Sequence, residues 1–128
     1  MSAFTAAEIA YLTAEERPLG RVATVGRDGM PHVVPSGVRY DAEHDTLDIG
    51  GIRLERTKKY RDIARTGLAA IVLDDVLPPW RPRGIEVRAH AELVGSPDPL
   101  IRLHPRRIIS WGLEGDAEIG ERHARDVP

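Results

Sequence analysis

From Leu19 to Trp111 the chain strings together short β-type runs and turn signals at hairpin spacing, with one helix-compatible stretch among them. Runs joined by such short turns can pair only with antiparallel neighbours, because a parallel pair needs a long crossover between its strands. The first run, Leu19–Gly26 (LGRVATVG), ends at the turn residues Arg27-Asp28-Gly29, and Pro31–Tyr40 (PHVVPSGVRY) returns as its hairpin partner. Pro35-Ser36-Gly37 interrupts that second run and suits a bulge or an edge, since proline cannot donate to a ladder. After a turn at Asp41–Asp45, Thr46–Gly51 (TLDIGG) points Leu47 and Ile49 inward and Asp48 outward. Leu68–Leu73 (LAAIVL) is apolar throughout, which predicts a strand covered on both faces.

Ile85–Gly95 alternates, with Ile85, Val87, Ala89, Ala91 and Leu93 on one side and Glu86, Arg88, His90 and Glu92 on the other. Arg106–Trp111 (RRIISW) supplies a last strand, and Val76–Gly84 (VLPPWRPRG) reads as a rigid proline-rich loop outside regular structure. Two helices accompany the strands. Thr5 and Glu8 form a capping-box pattern ahead of a stripe containing Ala6, Ile9 and Leu12, and Pro18 ends it. The second helix follows the third strand, with Tyr60, Ile63 and Ala64 on its inner face, Lys58, Lys59 and Asp62 largely off it, and Gly67 as its stop. The expectation is a mainly β domain over residues 1–113, a six-stranded antiparallel barrel with short helices at its rim. Glu114–Pro128 is charged and poor in apolar residues and is expected to be a loosely ordered tail.

A chain of 128 residues is most simply one domain. No apolar run approaches the roughly 20 residues of a membrane helix, and the N-terminus has neither the basic start nor the apolar centre of a secretory signal. The absence of cysteine excludes thiolate chemistry and fits a cytoplasmic protein. A net charge of −2 argues against a general nucleic-acid binder. Aromatic residues make up only 5%, thin for a core of this size, and pairing with a second copy would relieve the shortage.

The positive charge is local. Residues 53–65 hold six cations against Glu55 and Asp62, and Lys58 and Lys59 are the only lysines among the 18 basic residues. Two glycines (Gly50, Gly51), a helix N-terminus and two ammonium groups are what a phosphate site needs, and Thr57 adds a hydroxyl. Each charge-assisted hydrogen bond to a phosphate there is worth about 1.5–3 kcal/mol. A solvated helix face with Glu55–Lys59 and Lys58–Asp62 pairs, each worth about 0.2–0.5 kcal/mol, accounts for the same residues equally well.

Other chemistry is weakly represented. His32, His44, His90, His104 and His123 are scattered without metal-ligand spacing, so no metal is expected. Ser36 and Ser110 lie in no nucleophile elbow, and the glycines form neither a Rossmann nor a P-loop fingerprint. Trp80, on its stiff loop, is suited either to flank a planar ring or to anchor the loop. Arg106 and Arg107 could clamp an anion or face solvent.

The segments GRVATVGRDGMPHVVPSGVRYD, DTLDIGG, RTKKYRDIARTGLAAIVLDD, PWRPRGIEVRAHAEL and HPRRIISWGL together resemble the pyridoxamine 5'-phosphate oxidase-like, FMN-binding split-barrel superfamily. The likeness is greatest to its short actinobacterial branch of deazaflavin (coenzyme F420)-dependent oxidoreductases, and it spans roughly residues 4–113. It implies a split barrel, a homodimer, and a coenzyme F420 or FMN lying between subunits. It also implies that Thr57, Lys58, Lys59 and Arg61 grip the cofactor phosphate, that Pro35, Ser36, Ile49 and Gly50 border the ring, and that Gly51 belongs to the same cofactor-binding set. The Trp80 loop would close over the ring, from the same subunit or its partner. The resemblance thus points to hydride transfer between the deazaflavin and a small conjugated substrate, with no nucleic acid or membrane involved. An FMN-dependent enzyme of the same fold, or a noncatalytic flavin- or heme-binding dimer, are the alternatives. No residue reads as a dedicated acid or base, which suits chemistry supplied by a cofactor.

Overall fold

The computed structural model describes residues 1–114 and 118–128. The elements run α1 (Ala6–Thr13), β1 (Gly20–Val25), β2 (Pro31–Ser36), β3 (Arg39–Asp41), β4 (Thr46–Ile49), a 3-10 turn (Leu54–Arg56), α2 (Lys58–Thr66), β5 (Leu68–Leu77), β6 (Arg81–Val94), β7 (Leu100–Trp111) and β8 (Arg122–Asp126). The strands form one antiparallel sheet in the order β2-β1-β5-β6-β7-β4-β3, with β8 laid along β7.

The mainly β class holds, but the expected six-stranded barrel does not. Among the described residues there are eight strands and no pairing joins β3 back to β2, so the sheet is not closed. The two additional strands have local causes. Pro31–Tyr40 breaks at Gly37-Val38 into β2 and β3, with β2 an outer strand as its prolines require. Part of the expected loose tail pairs instead, as β8, with β7 from Arg107↔Asp126 to Trp111↔Arg122, while residues 115–117 of that tail lie outside the described residues.

The proline-rich segment is also more regular than expected. β5 and β6 stay in register as far as Leu77↔Arg81, leaving Pro78-Pro79-Trp80 as the turn. Pro82 is tolerated there because it lies beyond the last β6–β7 pair at that end, Gly84↔Trp111. β7 begins at Leu100, earlier than Arg106. Its Pro105 sits where the register shifts from Arg88↔Arg107 to Ala89↔Pro105, a bulge that leaves Arg106 as the extra residue.

The core is almost wholly aliphatic. Val22, Leu47, Ile49, Leu73, Ile85, Val87, Ile101, Leu103 and Ile108 are completely enclosed, each contributing about 1.5–3 kcal/mol of burial. β6 alternates as expected, with Ile85, Val87 and Ala89 inside and Arg88, His90 and Glu92 outside. β5 is covered on one face only: Ala69, Ile71 and Leu73 are buried, while Leu68 is 51% exposed. Val25, Met30 and Val33 are exposed on the neighbouring β1–β2 hairpin, so an apolar stretch of sheet remains open. The capping box of α1 is present in full, with Thr5 Oγ1 accepting from the Glu8 amide and Glu8 Oε1 from the Thr5 amide. No helix among the described residues is long and apolar enough to cross a membrane.

Candidate functional site

The site builds from the chain between β4 and α2. After Gly50 and Gly51 the backbone passes through Arg53 in the left-handed region (φ 54°) and a single 3-10 turn before α2 begins. Thr57 is the N-cap: its Oγ1 accepts from the Tyr60 amide at 3.3 Å and donates to the Leu54 carbonyl at 2.6 Å. That hydroxyl is therefore committed to the helix start, which leaves the first-turn amides of Lys58 and Lys59 as the donors of this tip. Gly67 closes the helix at φ 68°.

The two lysines go separate ways, as a 100° step around a helix dictates. Lys58 folds along α2 and places Nζ 3.1 Å from each carboxylate oxygen of Asp62. Asp62 in turn accepts from Thr24 Oγ1 at 2.8 Å, and the Arg65 guanidinium, which donates to the Val25 carbonyl, stands 3.9 Å away. The Thr24 hydroxyl, with Lys58 adding to it against the effect of burial, holds the Asp62 carboxyl below the usual carboxylate range.

Lys59 is only 9% exposed and makes no hydrogen bond or ion pair among the described residues. Burial pushes its ammonium below the usual lysine range. The inner face of α2 thus differs from expectation: Lys59, Asp62 and Ile63 are buried, Tyr60 is half-buried and Ala64 is exposed. The short stretch offers one strongly apolar side chain, and contacts to β1 rather than apolar periodicity set its roll.

Two hollows flank this region. A groove of about 970 Å³ between α2 and the β1–β2 hairpin is lined by Arg27, His32, Lys58, Arg61 and Arg65 together with Asp62. Arg61 spends one N–H on the Arg56 carbonyl at 2.8 Å. A second hollow of about 680 Å³ brings Gly50 and Gly51 to Gly37, with Arg17 and Arg39 on its walls. Ser36 adjoins it in sequence, half-buried opposite Gly20, and Pro35 is exposed opposite Arg21. Ile49 is completely buried, so only its backbone could meet a ligand.

Trp80 is not brought to these residues. It stands 65% exposed at the tip of the β5–β6 hairpin, while α2 joins the other end of β5. The intervening extended chain is roughly 30 Å long. Within one protomer the nominated residues therefore fall into three places: the α2 tip, the glycine hollow and the hairpin tip.

Asp62, Thr24, Arg27 and Arg65 were not among the nominated residues. The Lys58–Asp62 spacing was visible but indistinguishable from a surface pair; Thr24 and Arg27 join the group only through tertiary folding. Asp41, Glu43 and His44 place ligand atoms within 4.8 Å of one another. His44 Nδ1 already hydrogen-bonds Asp41 at 2.9 Å within that turn, so the cluster is accounted for by the turn itself.

The family model for pyridoxamine 5'-phosphate oxidase matches residues 6–125. A 5a,11a-dehydrotetracycline/5a,11a-dehydrooxytetracycline reductase of Streptomyces rimosus subsp. rimosus is 39% identical over 97% of this chain and 93% of its own length. Among solved structures, a conserved hypothetical protein of Mycobacterium tuberculosis aligns with a TM-score of 0.71 at 19% identity, covering 88% of this chain and 87% of that one. An F420 reductase aligns with a TM-score of 0.58 at 24% identity, over 77% of this chain and 93% of that one. These two structural likenesses bear on the fold.

Proposed function

The chain belongs to the pyridoxamine 5'-phosphate oxidase family, and from that premise we propose that it is a coenzyme F420-dependent reductase of a small conjugated acceptor. It is an oxidoreductase, as its likeness over nearly full length to a dehydrotetracycline reductase supports. The observation that carries the cofactor reading is Lys59, a buried cation in the first turn of α2 with no partner among the described residues. Such a group is unfavourable until an anion reaches it. A phosphate meets that need. FMN also carries a phosphoryl group and is the alternative cofactor.

The bound cofactor, when present, supplies the hydride. In this reading the protein's own residues bind, orient and exclude water. Lys59 and the first-turn amides of α2 hold the phosphate, with Lys58 and Arg61 at the mouth of the adjoining groove. Gly50 and Gly51 allow the backbone to approach the ring edge. His32 lines the same groove as Lys58 and is placed to hold a proton there, whereas Arg107 is engaged with Asp126 at 2.8 Å. A second copy completes the site. The apolar stretch around Val25, Val33 and Leu68 supplies a face for it, and Trp80 could cover the ring of a partner but not of its own protomer.

Spectroscopic titration with coenzyme F420, FMN and FAD, followed by reduced-cofactor turnover on conjugated polycyclic acceptors, tests the proposal. The expected result is tight deazaflavin binding, acceptor-dependent reoxidation and a dimer by sedimentation. A protein that retains stoichiometric FMN and ignores the deazaflavin moves the assignment to FMN. Unchanged affinity in the Lys58→Ala, Lys59→Ala double variant removes the phosphate site.

A further inference from the structure

We propose that Asp62 is a built-in counter-ion that occupies Lys58 until a ligand phosphate displaces it, so that this carboxylate sets how strongly the site discriminates a phosphorylated ligand from its unphosphorylated form. The inference rests on the phosphate reading above. A four-residue spacing along α2 leans the Lys58 ammonium one turn away from the first-turn amides. There it spends two of its three N–H bonds on Asp62. Gly26 makes room for it: a Cβ built at that position would lie 2.9 Å from Nζ.

The pair is unequal, unlike an ordinary exposed pair on a helix surface. The Asp62 side chain is 7% exposed and tied to the sheet through Thr24, whereas the Lys58 side chain is 45% exposed. The carboxylate is fixed and the lysine can move. When Lys58 leaves, Thr24 and Arg65 remain beside Asp62, so its charge is not stranded. Among the described residues Lys59 has no acid to leave. One lysine thus meets a phosphate without a competing acid among the described residues, and the other only in competition with Asp62.

Asp62→Asn keeps an oxygen to accept from Thr24 while removing the competing charge. The test compares dissociation constants for FMN against riboflavin, and for the deazaflavin riboside 5'-phosphate against the riboside itself, in parent and variant. The ratio of unphosphorylated to phosphorylated constants should rise about 10-fold in Asp62→Asn, with a steeper salt dependence. Adding Lys58→Met to that variant should abolish the gain. A merely structural Asp62 would weaken both members of each pair alike and lower Tm, leaving the ratio unchanged. An unchanged or lower ratio overturns the proposal. If the parent itself distinguishes neither pair, the phosphate site fails and takes this inference with it. If the parent distinguishes them and the variant does not differ, the counter-ion assignment alone falls.

Discussion

Lys59 is the residue whose placement makes least sense without a ligand. Its depressed pKa means that, while protonated, it subtracts from stability, and the subtraction fades as pH rises above its folded value. An arriving anion reverses the sign. Lys59→Met keeps an apolar stem in the same space without the charge. The variant is expected to melt at or above the parent temperature without ligand and to bind the phosphorylated cofactor about 10–100-fold more weakly, the loss of one charge-assisted hydrogen bond. Thermal melts with and without FMN or coenzyme F420 check both halves; a lower ligand-free melting temperature with unchanged affinity would contradict the assignment. In the sequence, Lys58 and Lys59 look like one paired feature. Their separation into a half-exposed cation paired with Asp62 and an enclosed one depends on how α2 rolls onto β1, which no local pattern encodes.

At the scale of elements, the C-terminal strand is held by a carboxylate near the N-terminus. Glu8 is fully buried and accepts from Arg125, from Ser110 Oγ at 2.7 Å and from the Thr5 amide, joining α1 to β7 and β8. Burial would raise its pKa, but these hydrogen bonds, Arg125 first, outweigh it and hold the carboxyl low. Glu8→Ala is expected to destabilise the protein by about 2–3 kcal/mol in urea unfolding, below the 3–5 kcal/mol typical of a fully buried pair because the Arg125 side chain is 33% exposed. β8 amides should lose hydrogen-exchange protection before those of β6. Intact β8 protection in that variant would show that strand pairing alone suffices.

The capping box was legible, and its very legibility hid this tie, because the box already explains Glu8. The strong alternation of β6 was equally plain, whereas β4 departs from it: Asp48, expected to face outward, is buried with Leu47 and Ile49 because the Arg102 guanidinium covers it. Those that escaped contain prolines or charges that neighbours excuse: Pro82 past the end of β7, Pro105 at a bulge, and Arg122–Asp126 paired through backbone rather than apolar side chains.

For the whole molecule, acidic groups tied into the fold set the response to pH. Glu8, Asp41, Asp45, Asp62 and Asp75 all titrate below their ordinary values. For Asp41 the hydrogen bonds from the His44 ring and backbone outweigh a desolvation that works to raise it, and bring it to about 2. A depressed carboxylate contributes stability that is complete above its unfolded value, near 4, and lost as pH falls through the folded one. The urea midpoint is therefore expected to be flat from neutrality to about pH 4.5 and to fall steeply between about 4 and 2. A decline already complete well above about pH 5 would contradict this account.

The same molecule carries its own optical report on assembly. Trp80 is bare at the β5–β6 tip, whereas Trp111 is half-covered on β7 with the Arg122 guanidinium 5.3 Å above its ring. Emission from this chain consequently has a red component open to iodide or acrylamide and a second, shielded one. Whatever settles over the hairpin tip blue-shifts and protects the first without touching the second, and peeling β8 away does the reverse.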